Sequence, residues 1–203
     1  MIENSKKPLP LMEAFRTIQG EGAHTGVPSF FFRIGGCDVG CHWCDVKESW
    51  DAGKHALTDV SVMLKMLEDQ DLTVVITGGE PLMWNMSLLT ESLKKKNKKI
   101  HLETSGAYKF SGTWDWICLS PKKTKSPLEE WYEKADELKM IIYNLNDLKW
   151  AEKHAAKVGP NCQVFLQPEW SKRDLMLPVI IEYLEKKSNW RLSLQTHKYI
   201  GLP

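Results

Sequence analysis

Short apolar runs alternate with amphipathic stretches along most of the chain. Runs typical of β-strands occupy residues 11–19, 29–34, 72–77, 100–103, 116–119, 137–143, 163–167 and 191–195. Stretches with the apolar spacing of helices occupy residues 58–70, 85–96, 128–134, 146–158 and 174–187. Strands and helices that alternate in this order predict an α/β fold with a parallel sheet built from βα units.

Two of the predicted helices show the signals on which they rest. Thr58 stands where an N-cap is expected, because its hydroxyl can accept a hydrogen bond from a free backbone N–H. Val60, Met63 and Leu67 then recur at the spacing that places them on one helical face. Five lysines within residues 94–99 come at the end of the next predicted helix, where cations complement the helix dipole. This run therefore predicts a solvated helix end rather than an RNA contact.

Polar segments follow directly after five of the predicted strands. They are residues 35–37, 78–81, 104–106, 120–122 and 168–170. Parallel α/β folds place their active sites at the carboxyl ends of their strands, so these segments are expected to converge on one rim. The chain holds too few βα units for a closed eightfold barrel. We therefore predict an open, partial (β/α) barrel with its active site at that rim.

The composition is that of an ordinary globular protein. The 203 residues are 42% hydrophobic and 26% charged, with a formal net charge of +1. A chain of this length is most simply one domain, residues 1–203. The near-neutral charge gives no field to attract nucleic acid or an anionic membrane, which favours a small-molecule or protein partner. No apolar run approaches the roughly 20 residues that a bilayer requires, and no signal-peptide pattern is present, which predicts a cytoplasmic location.

Three of the five cysteines stand within eight residues. Cys37, Cys41 and Cys44 have the spacing C-x₃-C-x₂-C, which suits metal ligation in a reducing compartment better than a disulfide framework. Three thiolates on one loop can each bind one iron of a [4Fe–4S] cubane and leave the fourth iron without a protein ligand. Cys118 and Cys162 lie in apolar surroundings and are predicted to be core cysteines.

A zinc site or unliganded thiols are the alternative interpretation of this loop. Structural zinc takes four protein ligands, and His42 is the nearest candidate for the fourth, although its place inside the loop makes a tetrahedron awkward to close. The Thr-Gly-Gly-Glu-Pro segment at residues 77–81 favours the cluster, because its glycines permit close approach of a ligand. Its backbone carbonyls and Glu80 are candidates to receive the α-amino group of S-adenosylmethionine (SAM) bound at the free iron.

These motifs resemble the radical SAM superfamily and, within it, the 7-carboxy-7-deazaguanine synthase family of the queuosine (7-deazaguanine) pathway. The cysteine spacing alone indicates only the superfamily. More specific are Ile-Gln-Gly-Glu-Gly at residues 18–22 and Gln-Thr-His-Lys-Tyr at residues 195–199. The other matching segments extend the resemblance over nearly the whole chain, at residues 15–17, 26–28, 32–37, 77–81, 103–106, 120–122, 137–139, 166–168 and 191–194.

The resemblance implies roles for the matching residues. The cluster ligands would be Cys37, Cys41 and Cys44. The SAM-binding residues would be Trp43, Asp45, Gly79, Glu80, Ser120, Pro121, Lys122, Gln167, Pro168, Glu169 and Trp170. The substrate-binding residues would be Ile18, Gln19, Gly20, Arg33, Thr77 and Pro203. Arg33 is the candidate for the substrate carboxylate, since a guanidinium fork matches that group in a bidentate way. For His197, a structural role and a chemical role both stay open.

The sequence departs from the family pattern at three positions. The usual Asn after the first cysteine is Asp38, and the usual Asn of the third strand-end motif is Ser105, which can still donate a hydrogen bond. The usual Thr after Cys-Asp, whose hydroxyl helps to ligate Mg²⁺, is Val46. Since valine has no ligand atom, Mg²⁺ would be held by substrate and water alone, or by another residue such as Ser49.

The resemblance also implies the reaction and its partners. The enzyme, a carbon–nitrogen lyase, would contract 6-carboxy-5,6,7,8-tetrahydropterin to 7-carboxy-7-deazaguanine with loss of ammonia. A homodimer and an electron donor such as flavodoxin or ferredoxin are expected. Two other hypotheses stay open on the sequence: a glycyl-radical activating enzyme, which shares the cysteine spacing and docks a protein, and a non-catalytic zinc-stabilised binding module.

Overall fold

The computed structural model describes residues 8–67 and 71–203. Its strands are β1 (Leu9–Ile18), β2 (Pro28–Ile34), β3 (Ala56–Thr58), β4 (Thr73–Gly78), β5 (Ile100–Thr104), β6 (Trp116–Leu119), β7 (Glu137–Ile142), β8 (Gln163–Pro168) and β9 (Trp190–Leu192). Its helices are α1 (Val60–Met66), α2 (Ser87–Lys95), α3 (Glu130–Lys134), α4 (Asn146–Ala155), α5 (Arg173–Lys186) and α6 (Thr196–Tyr199).

The strands form one open sheet in the order β3-β1-β2-β4-β5-β6-β7-β8-β9. From β2 to β9 all neighbours are parallel, which confirms the predicted α/β architecture. The exception is β1, which pairs antiparallel with both β2 and β3. A turn of only nine residues joins β1 to β2, too short for the crossover that a parallel pair needs, so antiparallel pairing is the reachable arrangement.

Several predicted boundaries were wrong. Thr58 is not a helix N-cap: it ends β3, and Asp59 takes the N-cap position of α1. The predicted end of that helix at residue 70 lies outside the described residues. The strand predicted at residues 191–195 is only Trp190–Leu192, and the chain then turns into α6, which was not predicted. Both missed elements, β3 and α6, are too short to carry a periodic pattern.

The two faces of the sheet differ in chemistry because side chains alternate along each strand. The outer face carries buried apolar side chains that pack beneath the helices, including Ile76, Leu102, Leu119, Leu138 and Leu166. The inner face carries polar side chains, including Glu103, Glu137, Lys139 and Gln167. The apolar core therefore lies between sheet and helices, and the concave interior is left for polar groups.

Hydrogen bonds connect the loop after β1 with the segment that follows β9. The Gly22 N–H donates to Ser193 Oγ at 2.9 Å, and the Thr196 N–H donates to the Gly20 carbonyl at 2.9 Å. These bonds join the loop after β1 to the segment after β9, so the first and last parts of the sheet are tied together. Within the described residues, no helix combines the length and the apolar character needed to cross a membrane.

Candidate active site

A cavity of about 450 Å³ opens at the carboxyl ends of the strands. All five of the polar strand-end segments predicted to converge contribute to its lining. Of the predicted site residues, it brings together Cys37, Cys41, Cys44, Trp43, Asp45, Gly79, Glu80, Ser120, Lys122, Gln167, Pro168, Glu169, Trp170, Ile18, Gln19, Gly20, Arg33, Thr77 and Pro203. Pro121 is not among the lining residues, although its neighbours Ser120 and Lys122 are.

The cysteine loop leaves the end of β2 and is closed by backbone hydrogen bonds. The Gly36 N–H donates to the Ser49 carbonyl at 2.7 Å, and the Cys37 N–H donates to the Trp50 carbonyl at 3.1 Å. A side chain on Gly79 could not be accommodated beside this loop, since its Cβ would stand 2.8 Å from Cys37 Cβ. The glycine-rich turn after β4 therefore approaches the cysteine loop as closely as backbone permits.

The donor set of this loop fits an iron–sulfur cluster. Cys37, Cys41 and Cys44 are half-buried free thiols that all line the cavity. Burial raises the pKa of the Cys37 and Cys41 thiols, so binding of a metal to their thiolates would release protons. Cys118, by contrast, is fully buried and does not line the cavity, and burial raises its pKa well above the usual value.

The geometry disfavours a zinc site at the same loop. The His42 ring packs edge-on against Tyr143 at a centroid distance of 5.1 Å and does not line the cavity with the cysteines. His42 is therefore not placed to complete a four-ligand zinc site with the three cysteines.

Glu80 is a buried hub at the rim. Its carboxylate accepts from Thr104 Oγ1 at 2.7 Å, from the N–H and Oγ of Ser105 at 2.7 and 2.5 Å, and from the Leu82 N–H at 3.1 Å. These four bonds use the four lone-pair positions of a carboxylate. In this structure the carboxylate of Glu80 therefore fixes the turns after β4 and β5.

The predicted SAM-binding side chains are arranged by contacts among themselves. Lys122 Nζ donates to Ser120 Oγ at 2.7 Å and lies 5.8 Å from the centre of the Trp43 ring. Gln167 Oε1 accepts from Ser193 Oγ at 2.6 Å. Two aromatic residues, Trp43 and Trp170, also line the cavity.

An ionic network around Lys139 forms the floor of the cavity. Its charged residues lie in the matching sequence segments, but the sequence analysis assigned them no role. Lys139 Nζ contacts the carboxylates of Glu21 and Glu103 at 2.7 and 2.9 Å, and its side chain is 5% exposed. Gln19 Nε2 donates to Glu103 at 3.2 Å. Burial would raise the pKa of Glu21, but Lys139 lowers it to about 2. The sequence signal for this network is Lys139, a charged residue inside the apolar run of β7, and it was not interpreted in that way.

Arg33 lines the opposite wall. Its Nε donates to Glu13 at 2.8 Å, and its guanidinium lies 5.7 Å from the centre of the Phe15 ring. Thr77 stands beside it on β4.

The C-terminal segment closes the cavity. Lys198 pairs with Asp45 of the cysteine loop, and Gln195 Nε2 donates to Glu21 at 2.9 Å. The His197 ring lies against Gly20 so closely that a Cβ there would meet its Nδ1 at 2.0 Å. Leu202 and Pro203 line the cavity beyond this helix. Any side chain at position 20 would therefore displace the His197 ring.

The three departures from the family pattern have distinct environments. Asp38 pairs with Lys125 at 2.8 Å, and this bond lowers the pKa of Asp38. Ser105 donates to Glu80, as predicted for a hydrogen-bond donor. Val46 lines the cavity without a ligand atom. Ser49 does not replace it there, since its hydroxyl donates to the Val46 carbonyl at 2.7 Å and does not line the cavity.

Comparisons with known proteins agree with this geometry. The model of the Radical SAM superfamily matches residues 32–146. A 7-carboxy-7-deazaguanine synthase of Flavobacterium psychrophilum is 57% identical over 96% of this chain and 93% of its own length. One of Synechocystis sp. is 46% identical over 95% of this chain and 93% of its own. The crystal structure of QueE from Escherichia coli matches with a TM-score of 0.81 and 32% identity, covering 93% of this chain and 94% of that chain.

Fold, cavity and sequence thus point the same way. The matched family region contains the cysteine loop and the glycine-rich turn after β4, and the relatives match the chain almost from end to end. Neither a glycyl-radical activating enzyme nor a zinc-stabilised module is favoured by any of these likenesses. The chain belongs to the 7-carboxy-7-deazaguanine synthase family of the radical SAM superfamily.

Proposed function

We propose that this chain contracts 6-carboxy-5,6,7,8-tetrahydropterin to 7-carboxy-7-deazaguanine with loss of ammonia, in queuosine or 7-deazaguanine biosynthesis. The observation that carries the proposal is one cavity that joins the cysteine loop to Arg33, to the polar floor around Lys139 and to Pro203. Its volume of about 450 Å³ suits a small ring system rather than a docked protein segment.

Membership of the superfamily implies a [4Fe–4S] cluster and SAM. Cys37, Cys41 and Cys44 would hold the cluster, and the carbonyls of the turn after β4, with the Trp43 and Trp170 rings, would hold SAM. When bound, these cofactors supply the 5′-deoxyadenosyl radical that takes a hydrogen atom from C6 of the substrate, and SAM is regenerated afterwards. The protein orients the substrate and excludes water from the radical.

Arg33 binds the substrate carboxylate in this proposal. We expect Arg33→Lys to lower kcat/KM by a factor that corresponds to about 1–3 kcal/mol of lost transition-state stabilisation. The reason is that a point charge cannot reproduce the planar two-bond recognition of a carboxylate. Steady-state kinetics with the carboxy-tetrahydropterin measures the loss, and SAM binding should be spared. Equal weakening of both ligands would mean that Arg33 supports the fold instead.

In this proposal Leu202 and Pro203, which both line the cavity, contact the substrate. Deleting the two residues removes this part of the cavity wall, so it should raise the substrate KM by about tenfold or more. Cluster content and SAM affinity should stay near wild type. A peptide tag added after Pro203 should act like the deletion, whereas the same tag at the N-terminus should not. Unchanged kinetics in both C-terminal variants would show that the tail takes no part.

The response of turnover to Mg²⁺ should be weaker than, or different from, that of relatives that carry the Thr hydroxyl at the position of Val46. We propose that substrate and water alone hold Mg²⁺, since Val46 has no oxygen and Ser49 faces away from the cavity. Val46→Thr is expected to tighten the apparent affinity for Mg²⁺, measured as the concentration that half-activates turnover. Val46→Ala is the control, because it changes the side-chain volume without adding an oxygen. Strong, saturable activation in wild type that Val46→Thr leaves unchanged would contradict this proposal.

The remaining proposals concern organisation and partners. We propose that residues 1–203 act as one radical SAM domain, that the enzyme is a homodimer, and that it works in the cytoplasm with a flavodoxin or ferredoxin as electron donor. The free thiols around the site support a reducing compartment.

The proposed function is tested by turnover under anaerobic conditions. Reconstituted protein is incubated with SAM, a chemical reductant and the carboxy-tetrahydropterin, and product is measured by mass spectrometry. Formation of 7-carboxy-7-deazaguanine with one ammonia per product supports the proposal. Cleavage of SAM without conversion of the pterin would instead support a glycyl-radical activating enzyme.

A further inference from the structure

Arg33 is held from outside the cavity by Glu13. The Glu13 carboxylate accepts from Arg33 Nε at 2.8 Å, and its own side chain is 46% exposed. Arg33 is a lining residue of the cavity, whereas Glu13 is not. Glu13 therefore touches the group that would bind substrate without being able to touch substrate itself.

A β-bulge creates this pair. On the antiparallel ladder between β1 and β2, Leu11 lies opposite Ile34, and regular pairing would place Met12 opposite Arg33. The register shifts by one residue, so that Glu13 is the partner of Arg33. Because directly opposed residues point to the same face, the shift brings a carboxylate to Arg33 in place of a thioether. Bulges often re-aim side chains beside active sites.

A second contact restrains the same guanidinium. The Phe15 ring, on the same β1 face as Glu13, lies 5.7 Å from Arg33 Cζ. Phe15 is itself stacked on Phe31, with ring centroids 5.5 Å apart and planes 13° apart. The guanidinium thus has a fixed partner at Nε and an aromatic surface beside it, which leaves its two Nη groups as the donors for a carboxylate in the cavity.

We infer that Glu13 is a positioning residue for substrate recognition: it orients the Arg33 guanidinium so that the Nη pair meets the substrate carboxylate. The inference rests on the proposed function, in which Arg33 binds the carboxylate of the substrate. Its physical basis is that an arginine side chain loses considerable rotamer entropy on binding unless another contact has already ordered it.

Two effects of Glu13 oppose each other, and the structure indicates which is larger. Its negative charge repels a substrate carboxylate, but nearly half of the side chain is exposed, so solvent screens that repulsion. Its hydrogen bond at Nε acts at contact distance and is not lost by screening. Orientation should therefore outweigh repulsion, and an uncharged acceptor at the same position should preserve the function of Glu13.

The test uses reconstituted holoenzyme with SAM and two fluorescent, unreactive ligands, 6-carboxypterin and pterin without the carboxylate. The ratio of their Kd values measures recognition of the carboxylate. We expect Glu13→Ala to reduce this ratio by about five- to tenfold, the size of one ordinary hydrogen bond, while Glu13→Gln stays within about twofold of wild type. In turnover, Glu13→Ala should raise KM and leave kcat nearly unchanged.

Two further variants separate positioning from other effects. In an Arg33→Ala background, Glu13→Ala should cause no additional loss, because nothing is left to orient. Glu182→Ala, which removes a more exposed carboxylate paired with Lys186 at 2.6 Å on α5, should leave the ratio unchanged.

The outcomes distinguish this inference from the function on which it rests. If wild type itself shows no preference for the carboxylated ligand, the proposed substrate and the inference both fail. If wild type shows the preference and Glu13→Ala retains it, or if the losses from Glu13→Ala and Arg33→Ala add, only the inference fails. A Glu13→Gln variant as weak as Glu13→Ala would also overturn it, since charge rather than orientation would then matter.

Discussion

Alanine at Cys37, Cys41 or Cys44 is expected to abolish both the iron–sulfur cluster and activity. Three thiolates are the whole protein ligand set of the proposed cubane, so no remaining residue can compensate for one that is lost. Wild-type protein reconstituted without oxygen should contain about four irons per chain, with broad visible absorption. Iron analysis and the absorption spectrum of each variant provide the measurement.

Cys118 and Cys162 are the matched controls. Neither lines the cavity, so changing either to alanine should leave the iron content and the spectrum intact. If wild-type protein isolated in the absence of oxygen contained stoichiometric zinc and no iron, the proposed iron–sulfur cluster would be wrong. Equal iron loss in the Cys118 variant would show that the fold, rather than ligation, limits reconstitution.

Lys139→Ala should cost about 3–5 kcal/mol of the free energy of unfolding, because it leaves the largely buried carboxylates of Glu21 and Glu103 without their cation. Urea denaturation at equal cluster content measures this loss. Lys157→Ala removes the exposed pair with Glu129 and should cost only about 0–1 kcal/mol. Similar losses in the two variants would contradict the assignment of Lys139 to a buried network.

The Lys139 effect should also depend on pH in a defined direction. In the folded wild type, Lys139 lowers the pKa of Glu21 from 4.5 to about 2. A depressed pKa contributes stability that is fully present above pH 4.5 and is lost as the pH falls toward 2. The gap in stability between wild type and Lys139→Ala should therefore narrow over that range.

Most of the fold could be predicted from the sequence because each long element carries its own local pattern. Residues 72–77 form an almost uninterrupted apolar run, and β4 was found there at Thr73–Gly78. The strand–helix alternation also indicated that the strand ends share one rim, which the structure confirms. By contrast, β3 and α6 consist of three and four residues, and their existence depends on long-range pairing and packing.

The candidate site was predicted as a set of motifs but not as a network. Motifs name residues one segment at a time, whereas the Lys139 contacts join β1, β5 and β7 through space. The pairing of Glu13 with Arg33 depends on a one-residue register shift that no local pattern announces. The four hydrogen bonds to Glu80 likewise arise only when the turns after β4 and β5 meet.

The central claim is that this chain performs radical chemistry at C6 of a carboxylated pterin. Its most direct test is turnover of the carboxy-tetrahydropterin with deuterium at C6, followed by mass spectrometry of the product and of the recovered SAM. We predict 7-carboxy-7-deazaguanine together with deuterium in the recovered SAM, because the hydrogen atom taken from C6 mixes with those of the 5′-carbon. Product formed while SAM stays unlabelled, or labelled substrate returned without product, would contradict the account.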